Sequence, residues 1–228
     1  PVCVGANRKK SLSVLLKNYP NTNLVLLDDG FQQKNLIPDK KILVVDDRFF
    51  GNNHCLPYGP MREKWPTDYE IDLFIFNTSK NKKQQIKENI LFDDNKKIEI
   101  LTVNPVCWKN LNGEKISLEK MSNMAKKYNL NQSNKLYAAA GIGNPMKFFL
   151  TLKNLKIDFN ELIFENHDQN FEKNLIYILK NEIRLILTTE KDAIRITNTK
   201  NPLFKNLWAL EIDSDLSQTF MKEFIKWV

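Results

Sequence analysis

Leu24-Val25-Leu26-Leu27-Asp28-Asp29-Gly30-Phe31-Gln32 decides how the rest of this 228-residue chain is read. Four apolar residues in succession fit a buried strand, and two carboxylates follow at once. A buried strand holds such carboxylates rigidly at the open end of a sheet, where Mg²⁺ and its waters find hard oxygen ligands. The same residues also fit a strand followed by an ordinary Asp-Gly turn.

Outward from this stretch, short strand patterns alternate with helical ones. Residues 1–4 suit a strand, and residues 7–19 suit a helix whose apolar face is Leu12, Val14, Leu15 and Leu16, ended by Pro20. Residues 23–28, 41–46, 72–77 and 97–103 read as strands, and residues 80–91 as a polar helix. Residues 48–66 are irregular and hold Gly51, Pro57, Gly59, Pro60 and Pro66; so long an irregular stretch points to function. Residues 105–134 have weak periodicity and read as a connector. A strand at 135–140 then runs into Gly141-Ile142-Gly143-Asn144-Pro145, with Asn144 at the cap and Pro145 at the first position of a helix over 145–155. Strands at 161–165, 185–189 and 206–212 and helices at 171–179 and 216–228 complete the chain. The alternation predicts an α/β fold with mainly parallel sheet. The predicted division is a first lobe over 1–96, a connector over 97–134 and a second lobe over 135–228.

Composition excludes several classes. Apolar residues make up 42% and charged residues 27%, so the chain is neither disordered nor collagen-like. No apolar run approaches the roughly 18 residues of a spanning helix, and no basic head with an apolar stretch opens the chain. Cys3, Cys55 and Cys107 are odd in number and widely spaced, which fits reduced packing residues. The net charge is +7, but only 5 of the 34 basic residues are Arg, and Asn numbers 28. That pattern fits compositional bias and solvated surface better than a nucleic-acid footprint. The chain opens Pro1-Val2-Cys3-Val4-Gly5 without Met, which suggests a fragment of a longer protein.

The apolar run with its acids is the Walker B pattern of P-loop nucleotide-binding proteins, where carboxylates serve Mg²⁺. Its partner G-x-x-x-x-G-K-[ST] does not occur in the 228 residues. Arg62-Glu63 follows Leu56-Pro57-Tyr58-Gly59-Pro60, and an Arg on a rigid loop can offer paired donors to a phosphate or simply form a surface ion pair. The Gly141–Asn144 turn could receive an anion on its backbone amides or serve as a tight strand-to-helix turn. His167, before Asp168, could orient or relay a proton or be a plain loop histidine. His54 lacks partners for a zinc-type set. In Thr188-Thr189-Glu190-Lys191-Asp192-Ala193, Lys191 could meet a phosphate and Asp192 could cap the next helix.

Taken in order, these segments resemble the tetraacyldisaccharide 4′-kinase (lipid A 4′-kinase) family. The resemblance rests on Pro1–Gly5 with Arg8, Asp28-Asp-Gly-Phe-Gln32, Gly51-Asn52, Leu56–Glu63, Ala140–Pro145 with Phe148-Phe149, His167, and Thr189–Ala193. It covers nearly the whole chain, with six motifs in register when Gly51-Asn52 and Leu56–Glu63 are taken as one. It implies a partial P-loop kinase-like lobe plus a smaller α/β lobe, with the active site between them. It implies transfer of the γ-phosphoryl of ATP to the 4′-hydroxyl of a tetraacyldisaccharide 1-phosphate in lipid A biosynthesis. ATP and Mg²⁺ are the implied cofactors, with Asp28 and Asp29 at the metal. Arg8, Gln32, Arg62, Glu63, Asn144 and Lys191 would lie near nucleotide or substrate phosphates, and His167 would help orient a catalytic carboxylate. The implied location is peripheral, on the cytoplasmic face of the inner membrane, with the membrane surface and the lipid as partners and no nucleic acid.

The departures matter too. The family's P-loop and its "G-D-E-P" segment, where the catalytic base is expected, precede the point matched by Pro1, so the chain resembles the C-terminal two-thirds of the family and is expected to be inactive alone. Gln33 replaces a His, Asn53 a Gly, Tyr58 an Ala, and Asn166 an Asp before His167. The Asn166 change bears on the tuning of the histidine. The alternatives are a catalytically dead remnant or non-catalytic binding protein of the same fold, and a basic α/β nucleic-acid module, which the low Arg count and the motif register disfavour.

Overall fold

The computed structural model describes residues 1–33, 35–46, 48–65, 67, 70–78, 86, 97–130, 136–166, 168–180 and 184–227, without the side chains of Gln32, Leu130 and Glu223. The chain divides into two compact units: Pro1–Val103 with Ser214–Val228, and Asn104–Asp213.

The first unit opens with α1, Arg8–Asn18. Asn7 caps it, its side-chain oxygen accepting from the Lys10 N–H at 3.1 Å, and Pro20 follows its end. Leu12 and Leu15 are half-buried, whereas Val14 and Leu16 are exposed, so the apolar face is narrower than the sequence suggests. Strands β1 (Ile42–Asp46) and β2 (Leu73–Asn77) pair in parallel, and β2 pairs in parallel with the start of β3 (Ile98–Asn110). Val45, Ile71, Phe74, Phe76 and Ile86 form the core. The irregular stretch after β1 is anchored in that core by aromatic rings. Phe50 stacks on Trp65 at 4.5 Å, and Trp65 meets Phe74 edge-on at 5.8 Å. The expected helix over 80–91 lies outside the described residues except for Ile86.

The second unit contains the end of β3, β4 (Lys115–Ser117), α2 (Leu118–Leu130), β5 (Leu136–Ala140), α3 (Pro145–Asn154), β6 (Asn160–Ile163), α4 (Phe171–Leu179), β7 (Leu185–Thr189), the short α5 (Glu190–Ala193) and most of β8 (Leu207–Asp215). The strand order is β4-β3-β8-β7-β5-β6, with β8, β7, β5 and β6 parallel and β4 antiparallel to β3. Alternate residues serve opposite faces of the sheet. Ala138, Ala140, Leu185 and Leu187 join Trp108, Phe149 and Leu152 in one cluster, while Ala139 and Ile186 join Phe171, Leu175 and Leu207 in another.

Two sequence expectations change here. Within the stretch read as a connector, residues 105–130 form the end of β3, then β4 and α2, and bring Trp108, Ile116, Met121 and Ala125 into the core of the second unit. Their polar outer face masks a few large inward anchors, which weakens the periodic signal. Helix α6, Gln218–Ile225, groups with the first unit rather than with the second lobe. Ser217 N donates to Glu99 Oε1 at 2.8 Å, and the Lys40 ammonium stands 5.4 Å from the Trp227 ring.

Candidate functional site

Residues 23–28, predicted as a buried strand, form none, and residues 1–4 form none either. Leu24, Val25 and Leu26 are exposed, Leu26 at 74%. An apolar run becomes a strand only when a neighbour takes its N–H and C=O groups, and among the described residues no strand pairs with it. The acids after it are nonetheless placed by local geometry. Asp29 adopts the left-handed conformation, φ 51°, which Asp tolerates. Gly30–Gln32 then closes a 3-10 turn, the Gln33 N–H donating to the Gly30 carbonyl at 3.1 Å. Phe31 packs against the first unit's core, so the turn is pinned while both Asp28 and Asp29 face solvent.

The Pro/Gly loop supplies the cation. Asn52 Nδ2 donates to the Tyr58 carbonyl at 2.8 Å, and the Asn52 side-chain oxygen accepts from the His54 N–H at 3.2 Å. The Leu56 N–H donates to the Met61 carbonyl at 2.9 Å, and the Met61 N–H to the His54 carbonyl at 3.2 Å. Gly59 sits so close to Asn52 and the His54 carbonyl that no β carbon would fit. The loop carries Arg62 to 3.7 Å from Asp29, Nη1 to Oδ2. Two motifs 33 residues apart in sequence are thus neighbours in space. Glu63 follows, half-buried, and Arg8 opens α1, also half-buried. Among the described residues no ion pair joins Arg8 to Asp28 or Asp29, and no group of three or more His, Cys, Asp or Glu could enclose a metal. Two exposed carboxylates fit a Mg²⁺ ion that keeps waters and phosphate oxygens for its other positions. The Gln32 side chain lies outside the described atoms.

In the second unit, Asn144 starts α3 with Pro145 at its first turn, as read from sequence, but its side chain makes no capping hydrogen bond. Lys191 is exposed on α5. His167 lies outside the described residues. Asp192 is not a helix cap. Thr189 caps α5, its Oγ1 accepting from the Asp192 N–H at 3.2 Å, and the Asp192 carboxylate turns into the core. There Oδ2 accepts from the Gly141 N–H at 3.0 Å and from Thr189 Oγ1 at 2.7 Å. Oδ1 pairs with Arg195 Nη1 at 2.9 Å without hydrogen-bond alignment. No sequence signal separates this Asp from the solvated charges beside it, because its partner is 51 residues away.

The family model described as LpxK, tetraacyldisaccharide-1-P 4′-kinase, matches residues 1–228. The tetraacyldisaccharide 4′-kinase of Francisella tularensis subsp. novicida (strain U112) is 32% identical over 223 residues, covering 95% of this chain and 62% of that protein. The protein of the same name from Francisella tularensis subsp. tularensis (strain WY96-3418) gives the same figures. The crystal structure of the "apo" form of LpxK from Aquifex aeolicus in complex with ATP superimposes with a TM-score of 0.64 at 22% identity, covering 98% of this chain and 62% of that one. That likeness establishes the fold, α/β with mostly parallel sheet. The chain spans 62% of the length of these relatives.

Proposed function

This chain belongs to the tetraacyldisaccharide-1-P 4′-kinase family, and from that premise we propose that the protein transfers the γ-phosphoryl group of ATP to the 4′-hydroxyl of a tetraacyldisaccharide 1-phosphate in lipid A biosynthesis. The observation that carries the reading is the approach of Arg62 to the Asp28-Asp29 turn, inside a chain matched end to end by the family. Phosphoryl transfer asks the protein mainly to position reactants and to neutralise charge. Asp28 and Asp29 would hold Mg²⁺, which when bound neutralises charge developing on the transferred group. Arg62, fixed by its Pro/Gly loop, orients phosphate oxygens through paired donors. Glu63, Arg8 and Gln32 complete the phosphate surroundings in the first unit, and Asn144 and Lys191 present polar and cationic groups in the second. His167 is the proposed orienting partner of a catalytic carboxylate.

Peripheral association with the cytoplasmic face of an inner membrane is part of the same proposal. Among the described residues no helix is long and apolar enough to cross a membrane. The test is transfer of labelled phosphate from ATP to the tetraacyldisaccharide 1-phosphate by the protein purified from its source. Mg²⁺-dependent product, lost in Asp28→Asn and Asp29→Asn, supports the reading; transfer unaffected by both removes it. The 228 residues hold no G-x-x-x-x-G-K-[ST] loop, and we expect them to be inactive when purified alone.

A further inference from the structure

Among the described residues Asp192 is the one fully buried charged side chain, and the chemistry proposed above gives it no task. Burying a carboxylate is unfavourable unless its oxygens are satisfied, and a well-packed apolar side chain would serve stability as well. What the carboxylate does that an apolar group cannot is grip a backbone. Its Oδ2 receives the Gly141 N–H, while Arg195, paired with its Oδ1, donates from Nη1 to the Gly141 carbonyl at 3.1 Å. One ion pair, its carboxylate buried and its guanidinium half-buried, therefore holds both polar groups of Gly141. Gly141 is hemmed in on the other side as well: a β carbon there would stand 3.0 Å from Arg195 Nη1 and 3.2 Å from the Glu165 carbonyl and from Phe164. The neighbouring Gly143 approaches Asn166.

Three segments meet at Gly141, which the pair grips. The Gly141–Asn144 turn leads into α3, the Glu190–Arg195 segment carries Lys191, and Phe164–Asn166 runs directly into His167. We propose that Asp192 and Arg195 are positioning residues that hold these three segments in one register for a phosphate-bearing ligand. They touch the loop rather than the ligand. The choice of ligand rests on the kinase reading; the grip on Gly141 does not.

Two measurements test it, in wild type, Asp192→Asn and Arg195→Lys. The first is amide hydrogen exchange on the 228-residue chain. Exchange at Gly141 should accelerate by about tenfold or more in each variant, with Leu175 in α4 unchanged. Equal acceleration at both positions, or none at Gly141, overturns the proposal; if Asp192→Asn does not fold, Arg195→Lys decides alone. The second is steady-state transfer by the protein purified from its source rather than by the 228 residues alone. Arg195→Lys should raise KM for ATP or for the lipid 1-phosphate by about tenfold at a preserved thermal midpoint, and the substrate affected identifies whose phosphate the register serves. Unchanged KM for both overturns the link to the ligand. A wild type without transfer removes the kinase reading, while the exchange measurement still decides whether the pair holds the loop.

Discussion

Glu211 receives two donors on one oxygen: Lys115 Nζ at 2.6 Å and the Cys107 thiol at 3.0 Å, both to Oε2. The Lys115 bond, then the thiol, hold its carboxyl below the ordinary 4.5, against the opposing effect of burial. The hydrogen bond to Glu211, then burial, pushes the Cys107 thiol above its ordinary 9.0. A carboxyl with a lower pKa folded than unfolded contributes stability that is complete above the unfolded value and lost as pH falls through the folded one. Acid titration followed by circular dichroism should therefore show stability falling below pH 4.5, the ordinary value, and Glu211→Gln should remove part of that fall. The thiolate is the reactive form of cysteine. Iodoacetamide should accordingly modify Cys107 slowly, and faster in Glu211→Gln. At the proposed site, Arg62→Ala should lower kcat by about 100-fold or more, since a lost charge-stabilising donor costs that much. Its thermal midpoint should barely move, because an exposed ion pair contributes at most about 1 kcal/mol. Steady-state kinetics and calorimetry on the same preparation check both.

Elements differ in how much of their form local residues decide. Phe171–Leu179 and Leu185–Thr189 have the bounds read from sequence, because each carries its own periodic pattern and buries one face or both. The run Leu24-Val25-Leu26-Leu27 carries an equally strong apolar pattern and forms no strand, because a ladder needs a second chain segment. The β3-β4 hairpin shows the converse: a segment with little periodicity is fixed by Trp108, which is wholly buried. Trp108→Ala should lower unfolding free energy by about 3–5 kcal/mol, read from urea denaturation. In the Pro/Gly loop, Gly59→Ala drives a methyl group against the His54 carbonyl and the Asn52 side chain. Transfer should fall as Arg62 is displaced, while the Trp65 near-ultraviolet signal persists in its aromatic stack.

The two units have separate cores, one around Phe74 and Phe76 and the other around Trp108, Leu187 and Phe171. Separate cores in separate units predict separate melting steps, so urea unfolding should show two transitions. Phe76→Ala should shift one and Leu187→Ala the other, each by about 3–5 and 2–5 kcal/mol respectively. Coincident shifts in both variants would contradict separate cores. At this scale the division of labour between sequence and tertiary structure is plain. Sequence by itself determined the α/β class, most strand and helix positions, the family, and the residue types available for a phosphate site, because these follow from local periodicity and from motifs of adjacent residues. Tertiary structure alone decided that residues 105–130 contribute to a core and that, among the described residues, 23–28 pair with no strand. It also decided that Arg62 meets Asp29 and that Asp192 grips Gly141. Each of these depends on groups 33 or 51 residues apart, or on packing partners elsewhere in the chain, and no local pattern encodes a distance between segments that approach only when the chain folds.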